Sequence, residues 1–139
     1  MNTAIFFADG FEEIEGLTVV DMFRRAGISI QTVSISDSLT VTGSHDIKVQ
    51  ADCLLKDFDF NTVEMLILPG GMPGTTNLSK CEPLCDALMQ FSRQGHYLAA
   101  ICAAPSILGG LGILNGRVAT CYPGFEKKLF GAYLSLIHI

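Results

Sequence analysis

The chain has 139 residues, 49% of them apolar and 17% charged, with fourteen acidic against nine basic side chains for a net charge of −5. That length supports one domain with a sizeable core and is short for two. The composition excludes a disordered chain, and an acidic balance without a Lys/Arg cluster excludes a nucleic-acid footprint.

Short apolar runs alternate with helical patterns, the signature of βαβ units and a mostly parallel sheet. The opening residues show no basic segment ahead of an apolar one, so a signal peptide is not expected, and residues 3–8 read as a strand buried on both faces. Residues 14–26 carry apolar positions at 14, 17, 20 and 23, or at 19, 23 and 26, an amphipathic helix closed by Gly27. Residues 28–35, rich in β-branched side chains, form the second strand, and 39–42 with 46–51 a small hairpin about Gly43-Ser44. Residues 63–68 are a buried strand stopping at Pro69-Gly70-Gly71. Residues 83–93 form a helix with Leu84, Leu88 and Phe91 inside and Gly95 at its end. A strand at 97–101, a short helix at 103–111 and a strand at 117–121 follow. The uncharged stretch 97–114 is long enough to span a bilayer, but Pro105 and the glycines at 109, 110 and 112 interrupt it, and strand–turn–helix describes it better.

The expected fold is therefore α/β, a doubly wound sheet with helices on both faces. Such sheets place ligands at the carboxyl ends of their strands. The segment 9–15, Pro69-Gly70-Gly71 and Cys102 all land there.

Cys102 lies between an apolar strand and a short helix, flanked by Ala100, Ala103 and Ala104. Small neighbours at a tight strand-to-helix turn are the mark of a nucleophile elbow, and a helix N-terminus favours a thiolate. The competing reading is a buried, inert cysteine. In Asp9-Gly10-Phe11-Glu12-Glu13-Ile14-Glu15, Glu12 and Glu13 are expected only to complement the helix dipole. Glu15 shares a helical face with Phe11 and Val19, so a partly desolvated carboxyl beside a thiolate is expected to hold a proton for sulfur. The Gly71 N–H, with that of Ala103, is expected to form an oxyanion hole over Cys102. Five cysteines (53, 81, 85, 102, 121) without a CxxC pair suit a reducing, cytoplasmic setting. Cys81 and Cys85 lack nearby histidines and make a poor zinc site; with no G-x-G-x-x-G after the first strand and no Walker lysine, neither a metal nor an organic cofactor is expected.

Together these residues resemble the ThiJ/PfpI family of the class I glutamine amidotransferase-like superfamily, in the branch of the parkinsonism-linked protein deglycase. The resemblance is carried by residues 9–15, Arg24-Arg25-Ala26-Gly27, Leu68-Pro69-Gly70-Gly71 with Asn77-Leu78, Ala100-Ile101-Cys102-Ala103-Ala104-Pro105, and Ala119-Thr120-Cys121-Tyr122-Pro123-Gly124-Phe125-Glu126. It implies a flavodoxin-like sandwich and a homodimer. It assigns the nucleophile to Cys102, its protonated carboxyl partner to Glu15 and the oxyanion donor to Gly71. The implied function is a cysteine-dependent enzyme of glyoxalase or deglycase type acting on reactive carbonyls. The rival is a redox-sensing chaperone or binding protein whose Cys102 is oxidised to a sulfinate.

Two departures stand out. No histidine follows Cys102 or occupies 120–123; His45 and His96 fall in turns, His138 near the end, so a Cys–His dyad and peptidase chemistry are not expected. The family continues through further strands and a long C-terminal helix, whereas residues 134–139 read as a non-family tail. The family domain is thus expected over 1–133, incomplete.

Overall fold

A computed structural model describes residues 1–135. The strands are β1 (Asn2–Phe7), β2 (Ser29–Ser34), β3 (Thr40–Thr42), β4 (Lys48–Gln50), β5 (Cys53–Leu54), β6 (Met65–Leu68), β7 (Tyr97–Ala100), β8 (Val118–Ala119) and β9 (Tyr133–Leu134). The helices are α1 (Glu13–Arg25), α2 (Gly74–Ser79), α3 (Glu82–Gln94) and α4 (Pro105–Gly110). Five strands form one sheet in the order β5-β2-β1-β6-β7, and every pairing in it is parallel. The chain leaves β1 toward β2 on one side and β6 and β7 extend the other, so the order reverses between β1 and β6. A doubly wound sheet opens its ligand crevice at that point.

β1 takes the centre because residues 3–8 can be buried on both faces: Ile5 and Phe7 enter one apolar cluster, Ala4, Phe6 and Ala8 the other. Each fully buried Phe contributes roughly 2–3 kcal/mol. α1 and the β3–β4 hairpin cover the first face through Val20, Phe23 and Val41. α2, α3 and α4 cover the second through Leu78, Leu84, Leu88, Phe91, Ile107 and Leu108. α3 ends, as expected, at Gly95 in the left-handed region (φ 76°).

Several expectations need correction. The buried positions of α1 are Glu13, Gly16 and Val20, whereas Ile14 is 74% exposed; a carboxylate and a glycine sit on the stripe that apolar periodicity alone assigned to other residues. The strand at 117–121 shrinks to β8, which pairs in parallel with β9 in a separate ladder and not with the main sheet. The helix at 103–111 shrinks to α4, with residues 102–104 in the turn before it. α2 and β5 lack any legible period because they are six and two residues long. The 97–114 stretch is indeed strand, turn and helix. Among the described residues no helix is long and apolar enough to cross a membrane. Residues 136–139, with His138 and most of the expected tail, lie outside the described residues.

Candidate active site

The loops after β1 and β6 lock together at the reversal point. Glu12 N–H donates to the Gly70 carbonyl at 2.9 Å and Gly74 N–H to the Gly10 carbonyl at 3.1 Å. The contact is close enough to require glycine. A Cβ on Gly71, which has φ 92°, would stand 2.6 Å from the Phe11 carbonyl carbon and collide with the Glu12 nitrogen.

Gly70 is where the candidate catalytic groups meet. Its N–H donates to Glu15 Oε2 at 2.8 Å. A Cβ there would lie 2.6 Å from that oxygen, 2.7 Å from Cys102 Cβ and 3.1 Å from Cys102 Sγ. Glu15 and Cys102, 87 positions apart in sequence, thus face one another across a glycine that leaves room for both.

Cys102 stands at φ 61°, in the left-handed region that non-glycine residues rarely occupy. Ala103 and Ala104 are buried beneath it, as the elbow reading requires. The elbow is pinned on both sides: Ile101 N–H donates to the Leu68 carbonyl at 3.2 Å, and the Cys102 carbonyl accepts from Tyr122 N–H at 2.7 Å. A cleft of about 580 Å³ opens beside it, lined by Ile101, Cys102, Pro105, Cys121, Tyr122 and Pro123 among others.

The electrostatics of the thiol differ from the expected helix-stabilised thiolate. α4 has six residues and begins three positions beyond Cys102, so little dipole reaches the sulfur. Burial pushes the Cys102 thiol above its ordinary range, and the hydrogen-bonded Glu15 carboxylate with its charge pushes the same way. The backbone N–H groups of Ala103 and Gly71 act in the opposite direction. The two expected oxyanion donors therefore already converge on the sulfur.

Glu13 is the residue that reading the sequence undervalued. Its side chain is buried at the start of α1, and it clamps the turn of the β3–β4 hairpin. Oε1 accepts from His45 N–H at 2.8 Å and Ile47 N–H at 3.4 Å, and Oε2 meets His45 Nδ1 at 2.9 Å. Burial alone would raise its pKa, but the bonds to His45 and to backbone N–H groups outweigh that and hold it at about 2. The same contact, with Glu12 nearby, raises the His45 pKa. Glu12, Glu13 and His45 bring potential metal-ligand atoms within 4.8 Å of one another, yet the hairpin already engages the Glu13 carboxylate, so the cluster acts as a clamp. His96 packs its ring on Phe91 at 4.8 Å, at the amino end of β7, away from Cys102. A larger open cleft of about 670 Å³ lies at that same end, against Phe58, Val63, Phe91 and His96, and is lined by no cysteine.

Comparison with known proteins agrees with this fold. The DJ-1/PfpI family pattern matches residues 1–136. The chain is 38% identical over 123 residues to protein DJ-1 homolog B of Arabidopsis thaliana, covering 88% of this chain and 28% of that protein. It is 31% identical over 122 residues to the glutathione-independent glyoxalase DJR-1.2 of Caenorhabditis elegans, covering 88% of this chain and 64% of that protein. Among solved structures it superposes on oxidised Toxoplasma gondii DJ-1 with a TM-score of 0.86 and 32% identity, covering 91% of this chain and 70% of that one. The chain thus spans under a third of the plant relative and about two thirds of the other two.

Proposed function

The chain belongs to the DJ-1/PfpI family, and from that premise we propose that it is a cysteine-dependent enzyme acting on small reactive carbonyls or their adducts, of glyoxalase or deglycase type. The observation that carries this reading is the meeting of Glu15 and Cys102 across Gly70. Cys102 Sγ adds to the carbonyl carbon, forming a C–S bond while the carbonyl π pair moves onto oxygen. Glu15 accepts the thiol proton and returns it to that oxygen. The N–H groups of Gly71 and Ala103, which already face the sulfur, stabilise the negative charge as it develops. A thiol whose pKa is raised by burial and by a hydrogen-bonded carboxylate suits this scheme, because that carboxylate is also the base that removes the proton. The relative named a glyoxalase supports the substrate class. Replacing Cys102 with Ser is expected to lower methylglyoxal turnover by at least about 10³-fold; unchanged turnover would overturn the proposal.

A second reading has its own support. The N–H groups of Gly71 and Ala103, together with Glu15 once it is protonated, offer donors that suit a sulfinate as well as an oxyanion, and one solved relative is an oxidised form. In that reading Cys102 is a sensor, and mild peroxide gives a stable two-oxygen adduct at Cys102 alone. We also propose that the chain pairs with a second copy through α1, whose outer face exposes Ile14, Leu17 and Met22. Light scattering on the purified chain tests this, and a monomeric mass would oppose it.

A further inference from the structure

We infer that Cys121 is the resolving partner of Cys102, and that the cleft they share is a dithiol site able to reduce hydroperoxides. The inference rests on the reading of Cys102 as a nucleophile and adds to it a second thiol that the carbonyl chemistry does not use. Both cysteines line the same cleft, and both are free and partly buried. The remaining thiols stand elsewhere, Cys53 on β5 and Cys81 with Cys85 at the start of α3.

Main-chain geometry brings the pair within reach. Tyr122 N–H donates to the Cys102 carbonyl at 2.7 Å, and standard bond lengths then hold the two Cα atoms of residues 102 and 121 to at most about 7.5 Å. A disulfide needs roughly 4.4–6.8 Å. The upper bound is reached only with every bond in line, so bending at the hydrogen bond brings the pair toward that range. The segment carrying Cys121 lies outside the main sheet, and its sulfur accepts from the Phe125 N–H, so pairing with Cys102 exchanges that hydrogen bond for the disulfide.

The chemistry balances with a hydroperoxide as oxidant and a small thiol as reductant. Cys102 sulfur attacks the distal peroxide oxygen, the O–O bond breaks, and sulfenic acid and water (or an alcohol) form. Cys121 sulfur then attacks the sulfenic sulfur, the S–O bond breaks, and water leaves with the Cys121 proton to give the Cys102–Cys121 disulfide. Two equivalents of a reducing thiol restore both groups. Capture by Cys121 diverts Cys102 from the irreversible sulfinate.

The test is a non-reduced peptide map of the full chain after about two equivalents of hydrogen peroxide, enough to carry one thiol to sulfinate. A Cys102–Cys121 cross-linked peptide with a loss of about 2 Da is expected. A gain of about 32 Da on Cys102 without that cross-link would overturn the inference. In Cys121→Ser the two-oxygen adduct on Cys102 should replace the cross-link. A two-oxygen adduct on Cys102 no more abundant in Cys121→Ser than in wild type would also overturn it. The wild-type map needs no variant to fold. Methylglyoxal turnover of the unoxidised chain is a separate readout: turnover without the cross-link overturns only this inference, and the cross-link without turnover overturns only the carbonyl reading.

Discussion

Glu13 and Glu15 stand two positions apart on the first turn of α1, yet their surroundings give them different work. Glu13 is buried and spends its oxygens on the hairpin turn at His45 and Ile47. Glu15 takes one backbone N–H, from Gly70, and keeps the rest of its carboxylate for the sulfur of Cys102. The lesson is that an acidic first turn cannot be interpreted from the helix dipole alone. One carboxylate whose acceptor capacity is used up by fixed donors is structural; another left with a single fixed donor and a mobile proton nearby can do chemistry.

The sharpest way to break the contrast is to remove the charge at each position in turn. Glu15→Gln keeps an oxygen for the Gly70 N–H but cannot shuttle a proton. It is expected to lower turnover of methylglyoxal by about 10²–10³-fold, the scale of general acid–base catalysis, while thermal melting stays within a few degrees of wild type. A fall in stability without a fall in turnover would erase the distinction. Glu13→Ala is expected to do the reverse. It leaves the His45 and Ile47 N–H groups without their acceptor, which costs about 2–4 kcal/mol, read as a lowered midpoint in urea, with the activity of the remaining folded protein within roughly tenfold of wild type.

The pH dependence sharpens the comparison with a smaller effect. The depressed Glu13 pKa contributes stability that is present above pH 4.5 and is lost as pH falls toward about 2. The raised His45 pKa contributes stability that is complete below 6.5 and declines as pH rises through the folded value. His45 is exposed, so solvent screens its share. Melting curves from pH 5 to 9 should show a shallow decline above neutrality in wild type that His45→Gln removes. An identical slope in the variant would place the alkaline loss elsewhere.

How much of this was legible in the residues follows from distance along the chain. Cys102 could be recognised because its evidence is local: an apolar strand before it and small residues after it. Glu15 and Gly71 could be placed at the same end of the sheet by βαβ logic, though the glycine between Glu15 and Cys102 that makes their meeting possible was read only as part of a turn. Glu13 was misjudged because its partners sit some thirty positions away in a hairpin turn, and no helical period encodes that. The thiol's environment is likewise not legible, since the helix that the pattern starts at 103 begins at Pro105. The pairing of β8 with β9 was out of reach because two-residue strands carry no alternation to read.

The φ of 61° at Cys102 has a consequence for how this position can change. A left-handed residue with a side chain costs about 1–2 kcal/mol that glycine would not, so the fold by itself would be better served by the one residue that has no sulfur. The cysteine is held there against the conformational preference of its own backbone. Under the proposed chemistry, selection for stability and selection for reactivity pull in opposite directions at this single position.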